Sequence, residues 1–315
     1  MTSAPDYPKP RRRFWQYSLR TFFVLLTVFG VWLGWTVHRA NEQRKAVERV
    51  RELGGWVRYD YQVLKWWRGV LGVDYFHGVW SVSLKDGRVS DLTPLVQLTS
   101  LRVLRLDNTQ VGDLAPLAKL TSLDSLILSN TPVSDLTPLA GLTSLGCLKL
   151  NNTQVSDLTP LAGLTSLGWL KLNNTQVNDL TPLVKLTSLQ WLTLHNTKVS
   201  DLTPLAGMKC LVWLILDNTP VSDLTPLAKL KNLQQLELNN TEVRDLNPLV
   251  NLTGLINLYL NNTQVNDLTP LAKLTSLQKL RLNNTPVSEE QVEALRQALP
   301  NCRIIWTPRT PDESP

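Results

Sequence analysis

From Val79 onward the sequence returns to the same phase every 22 residues, a period that restricts the chain to a stack of like units. Leu101, Leu123, Leu145, Leu167 and Leu189 mark the phase, and Leu211, Leu233, Leu255, Leu277 and Leu299 continue it. The unit reads L-x-x-L-x-L-x-N-T-x-V-x-D-L-x-P-L-x-x-L-T-S. A unit this short cannot bury its own leucines, so neighbours must stack and share one core. Because a strand alternates with period two, positions 4 and 6 (Leu104 and Leu106, for instance) face one way and positions 3, 5 and 7 the other. The leucines take the inward direction. Val at position 11, with Leu at 14, 17 and 20, closes the core from the far side. Eleven strand positions fit, opening with Val79-x-x-Val82-x-Leu84 and closing with Leu299-x-x-Cys302-x-Ile304. At about 4.8 Å per strand they predict a curved parallel sheet roughly 50 Å along its arc.

The second half of each unit is a turn. Asp at position 13, from Asp91 to Asp267, precedes L-x-P-L and suits an N-cap, with Pro in the first helical turn. Short helical or 3₁₀ segments on the convex face follow. Nine aligned aspartates would also suit a calcium comb, but D-x-D ligand spacing is missing and each has a local capping role. Thr109 through Thr285 at position 9, or the adjacent Asn108, Asn130 and their counterparts, can carry a hydrogen-bonded ladder between units. The period changes at 288–299, where a Ser N-cap and early glutamates predict a full α-helix that closes the far end with residues 300–306. Residues 307–315 read as a disordered tail.

The unit resembles the leucine-rich repeat family over residues 79–306. Its D-L-T-P-L-x-x-L-T-S half is similar to the 22-residue internalin-type subclass of bacterial surface proteins. The resemblance implies an α/β solenoid with a concave parallel sheet. Taken with the segments described next, the whole chain resembles bacterial membrane-anchored proteins of this kind.

Residues 21–37 (TFFVLLTVFGVWLGWTV) carry no charge and span roughly 26 Å as a helix, near the lower limit for a bilayer core. Arg20 can snorkel, extending the span to residues 14–37, with Trp32 and Trp35 as an aromatic belt. A cleaved signal peptide is the rival, but its best cut, after Ala40, has His38 at the −3 position. Lys and Arg tie across the span, five on each side. The Arg11–Arg13 run in the short basic tail 1–13 favours that end inside and the body extracytoplasmic. The same run loosely fits a twin-arginine pattern. Residues 38–55 read as a charged helix stopped by Gly54-Gly55, either a solvated stalk or a short coiled coil. The aromatic-rich stretch 56–78, with Trp66-Trp67, is expected to seal the open end of the repeats.

Residues 1–55 hold 10 Lys/Arg and 4 Asp/Glu, leaving 22 of each sign in the remainder, out of 32 basic and 26 acidic residues. The body is therefore neutral, which disfavours a nucleic-acid partner. Three cysteines, Cys147, Cys210 and Cys302, make neither a disulfide framework nor a metal spacing. Cys147 faces outward with a reactive thiol and no catalytic pair, whereas Cys302 stands in for a core leucine. The Asn-x-Thr sequons at Asn151, Asn173 and Asn261 follow from the repeat itself. Phosphate-loop, dinucleotide, zincin, hydrolase and kinase motifs are missing, so a non-enzymatic chain without cofactor or metal is expected.

The outward columns locate a candidate site. Position 3 places Trp169, Trp191 and Trp213 on three successive strands. Ile215 and Tyr259 on position 5 add apolar area, and Lys149, Lys171, His195 and Asp217 lie around them. Such a patch suits a protein or glycan ligand held on the concave face. A packing ladder of stacked aromatics in a structural envelope component remains the alternative. The near-identical units 145–166 and 167–188 also fit Trp spread by duplication.

Overall fold

The computed structural model describes residues 19–59, 78–85 and 87–309, with side chains from residue 21 onward. The basic tail 1–13, Trp66-Trp67 with most of the proposed end seal, and residues 310–315 lie outside the described residues.

A long helix, α1 (Leu19–Glu52), leads into β1 (Trp56–Tyr59) and β2 (Val79–Ser83). The repeat strands follow: β3 (Val103–Arg105), β4 (Ser125–Ile127), β5 (Cys147–Lys149), β6 (Trp169–Lys171) and β7 (Trp191–Thr193). Then come β8 (Trp213–Ile215), β9 (Gln235–Glu237), β10 (Asn257–Tyr259) and β11 (Lys279–Arg281). Helix α2 (Glu289–Ala298) and β12 (Arg303–Ile305) finish the described fold. The described residues make one twelve-stranded sheet in chain order. β2 to β12 are parallel, while β1 pairs antiparallel with β2. The architecture is the leucine-rich repeat solenoid expected from the period.

The 22-residue spacing sets the register directly. Cys147 pairs with Trp169, Trp169 with Trp191, and Trp191 with Trp213, so each repeat position forms a straight column across the sheet. Positions 4 and 6 are fully buried, as at Leu104, Leu106, Leu170 and Leu172. Val111, Leu114, Leu117 and Leu120 close the core from the convex side. Each such leucine stabilises the stack by roughly 2–5 kcal/mol relative to Ala.

Position 8 is a sharp corner. Asn108 and its counterparts through Asn284 hold positive φ between 54° and 62°, the left-handed region that asparagine tolerates better than other side chains. Their amides form the ladder: Asn152 Nδ2 donates to Asn130 Oδ1 at 2.5 Å, and Asn174 Nδ2 to Asn152 Oδ1 at 2.6 Å. Asn at position 7 adds a second set, with Asn173 N donating to Asn151 Oδ1 at 3.1 Å. The ladder thus belongs to asparagine. The buried threonines at position 9 tie locally, Thr153 Oγ1 donating to Leu150 O at 2.7 Å.

The aspartates act one step earlier than an N-cap. Asp135 Oδ1 accepts the Thr137 N–H at 2.8 Å, closing an Asx turn, while Leu136 occupies the cap itself without a side-chain bond. Pro follows in the first turn of each 3₁₀ segment, as at Thr137–Leu139. The Thr137 hydroxyl, then its N–H, holds the Asp135 carboxyl below its usual range. At the far end Ser288 Oγ accepts the Gln291 N–H and caps α2 as expected.

Two expectations are corrected. The charged helix 38–55 is no solvated stalk. It continues the apolar helix without a break, and its face formed by Ala40, Gln43, Ala46, Val47 and Val50 is buried against the first repeat. The apolar stripe is narrow because it needs to cover only one open end. Gly54, at φ 70°, and Gly55 then fold the chain back onto β2. A Cβ on Gly55 would lie 2.8 Å from the Val50 backbone carbonyl oxygen, which cannot swing aside, so glycine is required at this approach. Second, the tail is ordered through residue 309. Asn284 N donates to Thr307 O at 3.0 Å, Thr285 bridges to Pro308, and Arg309 Nη1 reaches Gln264 Oε1 at 3.3 Å.

Two measurements check this account. Asn152→Ala is expected to lose about 2–3 kcal/mol through backbone strain and lost ladder bonds, and Asn152→Gly only about 1–2 kcal/mol, in chemical denaturation. Val50→Asp should lower stability by about 3 kcal/mol and speed amide exchange in the first repeats while sparing the last ones.

Candidate functional site

The concave face of β5 to β11 carries the outward columns. Trp169, Trp191 and Trp213 stack along the position-3 column, with ring centroids 5.2 Å and 4.0 Å apart. The straight register is the cause, since it brings like residues on adjacent strands within stacking distance. The three are not equally open. Trp169 is 44% exposed at one end of the row, whereas Trp191 and Trp213 are half-buried. Lys171 Nζ lies 5.3 Å from the Trp191 ring centroid, a cation–π contact on the rim. Lys149 is beside Lys171 in register, and Ile215 follows Thr193. Trp191 Nε1 and Thr193 Oγ1, on the same strand, are covered and have no hydrogen-bond partner among the described residues.

Tyr259 does not join this row. It lies on β10, two strands beyond β8, with Gln235 and Glu237 of β9 between them. Its ring is flanked by cations instead, with Arg281 Cζ at 5.1 Å and Lys279 Nζ at 5.4 Å from the centroid. The concave face is therefore two neighbouring patches, one aromatic and one charged.

His195 is half-buried at a junction, not a free surface side chain. Its N–H donates to Asn173 Oδ1 at 3.0 Å, and its ring Nδ1 lies 3.3 Å from Asn218 Nδ2. Since it replaces an asparagine of the position-7 ladder, it draws Asn218 away from Asn196 and interrupts the regular pattern. Cys147 is half-buried beside Trp169. Cys302 is only partly covered, and burial pushes its thiol up to about 11.

Sequence reasoning missed two features. Asp217 Oδ1 accepts from the backbone and side chain of Asn239, at 2.7 and 2.9 Å, and its carboxyl neighbours that of Glu237. Gln235 Nε2 donates to Glu237 Oε1. Burial raises both carboxyls above their ordinary values. Positions 7 and 5 of successive units give this pair away only once the register is known. The second feature is a shallow groove at the first strands, lined by Trp56, Arg58, Trp80 and Arg105, where Trp56 is 82% exposed. It forms because β1 reverses direction, which the period does not encode.

A family model for leucine-rich repeats, in two copies, matches residues 121–163 and 253–297. Among solved structures, the internalin InlF of Listeria monocytogenes is 35% identical with a TM-score of 0.69, over 73% of this chain and 68% of that one. Internalin C2 of the same organism is 35% identical with a TM-score of 0.54, over 65% of this chain and 80% of that one. A leucine-rich repeat protein of Leptospira interrogans, 24% identical over 70% of this chain and 58% of that one, shares the fold with a TM-score of 0.66. No curated protein matches the chain in sequence.

The carboxyl pair gives a signed test. A carboxyl raised in the folded state stabilises fully at pH below the ordinary carboxylate range, and that stability is lost as pH rises through the folded value. Glu237→Gln should therefore gain stability over the parent as pH climbs past the ordinary carboxylate range, seen as a widening gap in urea midpoints.

Proposed function

The chain belongs to the internalin-like family of leucine-rich repeat proteins, and from that membership we propose that it is a non-enzymatic, membrane-anchored interaction module. Helix α1 is long and apolar enough to cross a membrane, and its side chains from Phe22 to Trp35 are exposed. These features support residues 21–37 as an anchor, and the Arg11–Arg13 run before it supports a solenoid on the extracytoplasmic side. The ligand is a protein or glycan, and it docks on the concave face.

The observation that carries this reading is Trp169. It is a large aromatic left 44% exposed on a sheet whose inward leucines on β3 to β11 are fully buried. Exposed Trp at the end of a rigid row, with Lys149, Lys171 and His195 around it and Ile215 beyond, has the make-up of an interaction hot spot with a polar rim. The sheet backbone is fixed by its neighbours, so a partner meets a preorganised surface and little ordering free energy is lost on docking.

A specific observation favours a second reading. The 4.0 Å stacking of Trp191 on Trp213 is a packing contact in its own right. In that case the row stiffens a structural envelope component and no discrete ligand exists. The two readings differ in what Trp169→Ser does. Photo-crosslinking from a probe at position 149, next to Lys171 in register, should yield a defined adduct in intact cells. Trp169→Ser with that probe retained should abolish capture of the species, with the thermal midpoint nearly unchanged. No adduct, together with a fall in midpoint for Trp169→Ser, makes the row structural.

A further inference from the structure

Helix α1 crosses the end of the solenoid from one edge to the other. Arg39 Nη2 donates to Thr99 Oγ1 at 3.1 Å, at the loop that feeds the N-terminal end of a strand. Ten residues later Arg49 is close enough to Asp91 to lower its carboxyl, after the Thr93 hydroxyl and N–H and against burial. Asp91 stands at the opposite edge, past the strand's C-terminal end. Gly55, packed between Val50 and Leu84, confirms that the later half of α1 reaches that side. The helix therefore runs along the strand direction, and its apolar part, ending at Val37, projects from the Thr99 edge. Only two residues, about 3 Å of rise, separate the end of that span from Arg39 on the edge itself.

The two edges carry opposite charge. The loops feeding the strands hold Lys119, Lys185, Lys209, Lys229, Lys231 and Lys273, all exposed, while Arg102 is offset by Asp124. No other charged residue occurs in these loops across residues 96–102 to 272–278. The opposite edge carries the aspartate at position 13 of every unit from Asp91 to Asp267, also exposed, and these nine outnumber the exposed Arg88, Lys198 and Arg244 beside them. The neutral total of the body hides this separation.

We infer that the solenoid lies with its lysine edge flat against an anionic lipid surface, the horseshoe in the membrane plane and the aspartate edge pointing away. The inference rests on the anchor reading above. A helix that crosses the bilayer near its normal forces the strands, which run along it, to stand upright. Every strand-feeding loop then faces the headgroups, where basic side chains are attracted within a Debye length, about 10 Å at 0.1 M salt. The concave face, with its Trp row, opens sideways over the membrane instead of upward.

Full-length chain in vesicles tests this, with an alkaline wash scoring anchorage separately. A fluorophore is placed on Cys210, in the lysine edge, in a Cys147→Ser, Cys302→Ser background. A matching sample adds Cys210→Ser and carries the fluorophore at Ser200→Cys, beside Asp201 on the opposite edge. With headgroup-quencher lipids and about one-third phosphatidylglycerol, the Cys210 label should be quenched at least about threefold more than the other. The difference should shrink in phosphatidylcholine alone, in about 0.5 M salt, and when the six lysines are changed to Gln, with circular dichroism unchanged. A chain that resists the wash but shows equal quenching at both positions overturns the inference and leaves the anchor standing. A chain released by the wash overturns the anchor, and the inference with it.

Discussion

The leucines at positions 4 and 6 are dry only because the units on either side supply the missing walls of their core. This dependence is what every other feature answers. It makes the register straight, since a slipped unit would leave its leucines facing solvent. It also makes the two ends the weak points, because the first and last units have a neighbour on one side only. At one end the answer is the buried face of α1 with β1. At the other it is α2 and β12, tied down by the paired residues 307–309.

Most of the solenoid was legible because the period fixes inside from outside at each position. Leu104, Leu106, Val111 and Leu117 need no more than that argument. What escaped depended on contacts between distant segments. Ala46, Val47 and Val50 form a stripe too narrow to distinguish a cap from a stalk until the surface they cover is known. The aspartate was assigned one residue late, because an Asx turn and an N-cap use the same side chain in almost the same place. Position 8 offered asparagine in every unit from Asn108 to Asn284, and its left-handed backbone was the signal that went unread. Within the candidate site the Trp row followed from the column, but the separation of Tyr259 did not, since apolar area was counted across β9 without asking what β9 presents.

The concave face combines two chemistries on one rigid support. Around Trp191 the surface is stacked and apolar, with two covered polar atoms on β7 that have no partner among the described residues. Around Tyr259 it is dense in charge: Arg281 lies over the ring, and burial raises the carboxyls of Asp217 and Glu237, against the lowering pull of Arg281 on Glu237. A surface of this kind discriminates by position, because a partner must offer apolar area and compensating charge at a spacing set by the strand separation.

The sealing helix also bears on synthesis. Residues 40–59 precede the first repeat in the chain, so a chain that enters its folding compartment from this end brings the closed end before any unit that needs one. Each later unit of 22 residues then emerges onto a finished template and can dock as it appears. The exposed leucines of an incomplete array are at any moment those of a single turn. An array sealed only at its far end would carry two open turns, the first and the latest, until the last unit docked.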